Sequence, residues 1–227
     1  MQKRGLIEGV IFDVGGVLAY DIWEHLLPCR NKTGGIRDKF GLNKDEVHKI
    51  GKLLWGVFAH TPETPRANWR DLEKQYWRLF IDFFWPKNPP ADASIDNFIQ
   101  LTDQFIKLVS PKMPSLLGDL VARGVSLGVC SNNNEFWFRR QFSQLDLSPY
   151  FSPSKIVLSC RVGASKSSAG YEMFHATIDA MNIHPSRCIF IDDRPENIKR
   201  ATKVGLKGIH FETFTKLQSD LKTVLGG

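Results

Sequence analysis

Leu6-Ile7-Glu8-Gly9-Val10-Ile11-Phe12-Asp13-Val14-Gly15-Gly16 is apolar apart from Glu8, Gly9 and one acid near its end, and it runs into a glycine pair. A short apolar run closed by a tight loop reads as a strand buried on both faces, as strands of parallel sheets are. Alone at the start of the chain it could not pair its backbone groups, so it must join a sheet formed further along. That sheet is legible after Pro114. Residues 116–123 read as helix, 125–130 as strand, 135–145 as helix and 156–158 as strand. Residues 171–181 then read as helix, 188–191 as strand, 196–204 as helix, 208–211 as strand and 214–225 as a closing helix. Such alternation predicts an α/β fold, a Rossmann-like parallel sheet with helices on both faces.

Between the first strand and the rest the texture changes. Residues 21–109 hold five of the six tryptophans, and their apolar residues recur at helical spacing. Asn43 with Glu46 has the form of a capping pair, followed by a stripe of Val47, Ile50, Leu54 and Val57. Trp69, Leu72, Tyr76, Phe80 and Phe83 make a second stripe, stopped by Pro86, Pro89 and Pro90. Ile95, Phe98, Ile99, Thr102, Phe105 and Val109 make a third. The prediction is an insertion of three or four helices over 21–109, with residues 1–20 and 110–227 forming the sheet domain.

With 227 residues, 42% of them hydrophobic, a core domain plus a smaller inserted one is readily buried. The formal charge of +6 favours anionic partners. The nearest approach to a basic cluster, Lys199, Arg200 and Lys203, has helical spacing beside Glu196 and reads as a solvated helix face, which speaks against a nucleic-acid partner. Cysteines at 29, 130, 160 and 188 form no CxxC pair and suit reduced thiols in a cytoplasmic protein. The first residues hold too short an apolar run for a signal peptide, and no stretch has the length of a membrane span.

In open α/β sheets ligands collect at the carboxyl ends of the strands. Those ends deliver Asp13 and Gly15, Ser131 and Asn132, Lys166, and Asp192 with Asp193. Carboxylates, a hydroxyl and an ammonium converging on one edge suit a hard divalent cation together with a phosphoryl group. Singly, each has a plainer reading: Asp13 as a loop cap, Ser131 or Asn132 as a helix cap, Lys166 as a solvated loop residue. Two adjacent acids after an apolar strand fit that plainer reading least, since a cap explains only one of them.

VIFDVGGVL, CSN, the lysine of GASK and FIDDRPENI, in this order, resemble the four motifs of the haloacid dehalogenase (HAD) superfamily of hydrolases. The resemblance covers residues 6–18 and 113–211 and makes the inserted helices a cap of the branch that carries it between the first two motifs. It implies a magnesium-dependent phosphatase acting on a small phosphorylated metabolite. Asp13 would be the nucleophile, forming an aspartyl phosphate and sharing Mg2+ with the Gly15 carbonyl and Asp193, while Asp192 would bind the metal through water or orient Asp193 and Asn197 would support the metal's surroundings. Ser131 would hold phosphoryl oxygens with Asn132 and Gly16, and Lys166 would balance their charge. Two departures stand out. KSSAGYEMF lacks the proline usual after the lysine, and Gly15 replaces the aspartate that usually serves as general acid and base, a group worth about a hundred- to ten-thousandfold in rate. His25, Arg30, Arg37 and Arg66 are further candidate substrate contacts. Two other functions remain open: dehalogenase-type hydrolysis, which needs no metal and so leaves the acidic pair unexplained, and a phosphate- or metal-binding protein with little turnover, which Gly15 supports.

Overall fold

The computed structural model describes residues 6–27, 35–60 and 68–226. Cys29, Arg30 and Arg66 lie outside them. Five parallel strands, β1 (Gly9–Phe12), β2 (Ser126–Ser131), β3 (Ile156–Leu158), β4 (Cys188–Asp192) and β5 (Lys207–His210), form one sheet in the order β3-β2-β1-β4-β5. The opening strand is thus central, with Gly9 to Phe12 paired to Ser126 to Val129 on one side and to Cys188 to Ile191 on the other.

Among the described residues the inserted stretch holds five helices: α1 (Ile22–Leu26), α2 (Gly35–Lys39), α3 (Lys44–His60), α4 (Trp69–Phe84) and α5 (Ile95–Phe105). The sequence predicted three or four. The two short ones offer no full turn-to-turn repeat from which a periodicity could be read. The sheet's own helices are α6 (Met113–Ala122), α7 (Glu135–Gln144), α8 (Ser159–Val162), α9 (Glu172–Met181), α10 (Pro195–Lys203) and α11 (Phe214–Leu225).

Strand residues alternate between the faces, as a pleated backbone requires. Val10, Phe12, Leu127, Val129, Ile189 and Ile191 pack with Leu117 and Leu120 of α6 and Leu217 and Leu221 of α11. Ile11, Cys130 and Phe190 point the other way, onto Met173 and Phe174 of α9 and Ala201 of α10. Continuous apolar strands are needed because both faces are covered.

In the inserted helices the side-chain oxygen of Asn43 accepts from the Asp45 and Glu46 amides at 2.9 and 3.2 Å, so the predicted start of α3 is a real cap. The predicted stripes need two corrections. Val57 is 50% exposed and Phe83 46%, while their neighbours Phe58, Trp77 and Ile81 are buried. In helices this rich in aromatics, two adjacent phases satisfy the same spacing rule, and packing selects between them. Phe136 and Trp137 of α7 sit in the same apolar cluster as Tyr76, Trp77 and Phe98. Arg140 of α7 adds polar ties, donating to Glu73 at 2.6 Å and to Asp103 at 3.0 Å. The chain's two crossings lie side by side: the Tyr20 amide donates to Lys107 and the Val109 amide to Leu18. Among the described residues no helix is long and apolar enough to cross a membrane.

Candidate active site

The carboxyl edge of the sheet gathers what the strands deliver. The amide of Asp13 donates to Ile191 at 2.9 Å, continuing the pairing of β1 with β4 and setting the side chain beside Asp192. Asp13, Asp192 and Asp193 each offer an oxygen within 4.8 Å of the others. Ser131 closes β2 and is buried, and Asn132 follows it at the rim of the same cleft.

Lys166 reaches into this cluster from the loop after α8. Its Nζ lies 2.6 Å from Asp13 Oδ2 and 2.5 Å from Asp192 Oδ2, and the side chain is 2% exposed. Burial pulls its pKa down, but Asp13 and Asp192 outweigh burial and hold the ammonium above the ordinary lysine range. The loop is anchored on both sides. The Lys166 amide donates to Asn132 Oδ1 at 2.9 Å, and Arg200 donates from Nε to the Lys166 carbonyl at 2.6 Å and from a terminal nitrogen to the Ser168 carbonyl. Arg200, expected on a solvated face, is therefore a half-buried clamp; helical spacing locates a face but not the loop that covers it.

The two adjacent acids have different surroundings. Asp192 is fully buried, and its carboxylate takes hydrogen bonds from Asn197 Nδ2 at 2.9 and 3.1 Å, from the Arg194 amide at 2.9 Å and from Lys166. Asp193 is half-buried and its carboxylate accepts no hydrogen bond from the described residues. Burial, then Asp192, pushes its pKa up. Asp13 rises to about 7 from burial, with Lys166 pulling down and Asp192 pushing up. Three carboxylates against one ammonium leave the cluster short of positive charge. The Ser131 hydroxyl faces Asp13 without a well-formed hydrogen bond to it or to any other described residue.

Gly16 has φ +82°, and a Cβ there would stand 2.6 Å from a carboxylate oxygen of Asp193, so a side chain is excluded twice over. Gly15 differs: its added Cβ would meet only the Asp21 side chain and Cα, at 3.6 to 3.7 Å. A cavity of about 240 Å³ opens beside the cluster, lined by Asp13, Gly15, Asp21, Asn132, Lys166, Arg194 and Asn197, and also by Ile22, Trp23, Glu24, His48, Lys52, Trp55 and Trp137.

Asp21, Arg194, His48 and Lys52 were not singled out from the sequence, and of the tryptophans over residues 21–109, whose spacing reads as core packing with one or two facing the cleft, Trp23 and Trp55 line the cavity. His48, Lys52 and Trp55 follow helical spacing along one side of α3, a signal that could have been read as a wall facing the site. His25 stacks on Tyr20 and Arg37 pairs with Asp38 at 2.7 Å; neither lines the cavity. Asp21 carries a carboxyl raised by burial first, then by Glu24, against the pull of Arg194.

A parallel α/β sheet with an acidic strand edge of this kind defines a class of hydrolases, and residues 7–205 match haloacid dehalogenase-like hydrolase. The chain belongs to that family and is a HAD-like hydrolase. It is 33% identical over 109 residues to flavin mononucleotide hydrolase 1, chloroplastic, of Arabidopsis thaliana, a match covering 48% of this chain and 42% of that protein. It is 26% identical over 129 residues to acyl-CoA dehydrogenase family member 10 of Mus musculus, covering 57% of this chain and 12% of that protein. The chain thus matches less than half the length of either relative. Among solved structures it is similar to a HAD family enzyme of Bacteroides thetaiotaomicron in complex with magnesium and inorganic phosphate. That likeness has a TM-score of 0.63 at 18% identity, covering 93% of this chain and 98% of the other, and is one of fold.

Proposed function

We propose that this hydrolase is a magnesium-dependent phosphatase of small phosphomonoesters that works through an aspartyl phosphate on Asp13. The observation that carries the reading is the meeting of three carboxylates, one buried ammonium and one unpartnered buried hydroxyl in a single cluster, of which Asp13 and Lys166 line the cavity. The residues fit a hard cation. Oxygen donors alone converge, and their excess negative charge is what a divalent ion neutralises. Asp13, Asp193 and the Gly15 carbonyl would hold it, with Asp192 fixed beside them by Asn197. When bound, magnesium supplies charge neutralisation for the phosphoryl oxygens. The Bacteroides structure, which carries both magnesium and phosphate, supports this choice of ion.

Asp13 attacks phosphorus with the oxygen facing the cleft, while its backbone-bonded Oδ1 keeps the carboxylate oriented through Val14. Lys166 balances the charge of nucleophile and incoming phosphoryl group, which would otherwise repel. Ser131 gives its hydroxyl to a phosphoryl oxygen, and Asn132, whose side-chain oxygen is committed to Lys166, turns amide nitrogen toward another. Gly16 lets the backbone come close. The helices over residues 21–109 serve as a cap, and the modest cavity limits the substrate to a compact molecule. Trp23 and Trp55 offer its body a flat apolar surface, Lys52 a cationic one and His48 a ring nitrogen for a hydrogen bond. The Arabidopsis relative, named for a phosphomonoester with a flat ring system, supports this class. The free thiols of Cys130 and Cys188 support a reducing compartment such as the cytosol.

The test is phosphate release from a panel of aryl and alkyl phosphomonoesters, with magnesium and with chelator; release that ignores chelation would sink the reading. Ser131→Ala gives a sharper result. Its hydroxyl has no partner to lose, so the variant should be at least as stable as the parent, while kcat/KM falls about a hundredfold or more. A large stability loss with unchanged kinetics would contradict the assigned role.

Metal and pH are linked. Asp13 rises from 3.8 to about 7 on folding, so between these values the unfolded chain releases its proton first. Its contribution favours the fold below about pH 4 and is lost as pH climbs through 7. Magnesium, by compensating the buried charge, is expected to raise Tm more at pH 7 than at pH 5 in thermal melts against chelator. An equal or smaller gain at pH 7 would count against a cation among these carboxylates.

A further inference from the structure

The chemistry just described needs a group to protonate the leaving oxygen and later to deprotonate water, and Gly15, where the resemblance would place one, has no side chain. The turn after Asp13 brings another carboxyl to that place. The Gly16 amide donates to Ala19 at 2.8 Å, and the amides of Leu18 and Ala19 both donate to Val14 at 3.0 and 2.9 Å. Gly15 and Ala19 are bridged, and Ala19 is bridged in turn to Leu108. The chain leaves the turn held on both sides, with the Tyr20 amide donating to Lys107 at 2.9 Å. The next residue, Asp21, then lies over Gly15, its Cγ 3.6 Å from where a Gly15 Cβ would be.

Since a carbon–carbon bond is about 1.5 Å long, the carboxyl carbon of an aspartate at 15 could come within about 2 Å of the one Asp21 already presents. The Gly15 backbone is outside the left-handed region, so nothing in its conformation demands glycine. Asp21 is oriented rather than loose. Its Oδ1 accepts from the Trp23 amide at 2.9 Å at the start of α1, and its Oδ2 faces Arg194 at 3.8 Å. Its side chain is 27% exposed, opening into the cavity that Asp13 and Lys166 line.

We infer that Asp21 is the general acid and base of this enzyme, reaching from the turn after β1 the place of the side chain missing at Gly15. The inference rests on Asp13 being the nucleophile. In the first step an Asp13 oxygen bonds to phosphorus, the ester P–O bond breaks, and the Asp21 carboxyl gives its proton to the departing alkoxide oxygen. In the second, Asp21 takes a proton from water, the hydroxyl oxygen bonds to phosphorus and the Asp13–phosphorus link breaks. Phosphate leaves, Asp13 is restored as carboxylate and Asp21 as carboxylic acid.

Asp21→Asn keeps an oxygen to cap α1 and removes only the exchangeable proton. With magnesium present, kcat/KM for an alkyl phosphomonoester should fall about a hundredfold or more. For p-nitrophenyl phosphate, whose leaving group needs no proton, kcat/KM should fall no more than about fivefold. Gly15→Asp added to Asp21→Ala, which vacates the place of the Asp21 carboxyl, should restore the alkyl rate. Equal losses on both substrates would show a positioning role and overturn the inference. So would no loss on either, or the leaving-group-dependent loss appearing in Glu24→Gln instead. The companion Asp13→Asn separates the two readings: if it turns over as the parent does, the phosphatase reading fails and this inference with it. If only Asp21→Asn misbehaves, the inference fails alone.

Discussion

Asp13→Asn is expected to reduce phosphomonoester turnover by roughly four to six orders of magnitude, the range seen when a covalent nucleophile is removed. The amide keeps the shape of the side chain and an oxygen for the Val14 amide, so the β1 loop should hold its form. What disappears is the charged oxygen facing the cleft, and with it both the attack on phosphorus and one of the three carboxylates around the cation site. Without metal the variant should melt at the parent's temperature or above it, because burial disfavours a charge at this position more than Lys166 favours it, and Lys166 keeps Asp192 as its partner. Phosphate release measured beside thermal melts checks both halves. Activity above about one per cent of the parent would be incompatible with a phosphoenzyme on this residue.

Lys166→Met carries the second large effect, and here stability and catalysis fall together. Methionine fills most of the lysine stem's volume, so the change isolates the charge. Asp13 Oδ2 and Asp192 Oδ2, each within 2.6 Å of the ammonium, would then face one another with no cation between them. Removing one partner of a buried ion pair costs about 3–5 kcal/mol, and this ammonium serves two partners. Loss of a charge aimed at the phosphoryl group should lower kcat by about a hundred- to a thousandfold. Urea unfolding in chelator reads the first effect and single-turnover kinetics the second. Magnesium should return part of the stability but not the rate. A variant as stable and as fast as the parent would show that Lys166 is a spectator.

The residues that follow strands directly were legible because a strand end and its loop are neighbours in the chain. Asp13, Ser131, Asp192 and Asp193 needed only the alternation of apolar strands and helices to be placed on one edge. Lys166 was harder. Its loop is long, and what turns it inward is Arg200, a residue whose spacing suggested solvent, together with Asn132. Asp21 was not legible at all. Its place over Gly15 follows from hydrogen bonds inside the turn over residues 14–19 and from pairing with Leu108, a contact far along the chain. The inserted helices were legible as helices, yet Val57 and Phe83 show that aromatic-rich stripes leave the buried phase undetermined by one residue. Their contact with Phe136 and Trp137 of α7 had no signal in either segment read alone.

Catalysis as described depends on a phosphoryl group passing through the carboxylate at the end of β1. Quenching the protein in acid during turnover of a phosphomonoester, then mapping its peptides by mass, looks for that species itself. A phosphoryl adduct on the peptide bearing Asp13, absent from Asp13→Asn, is the result expected. Steady turnover with an adduct on another residue would contradict the account.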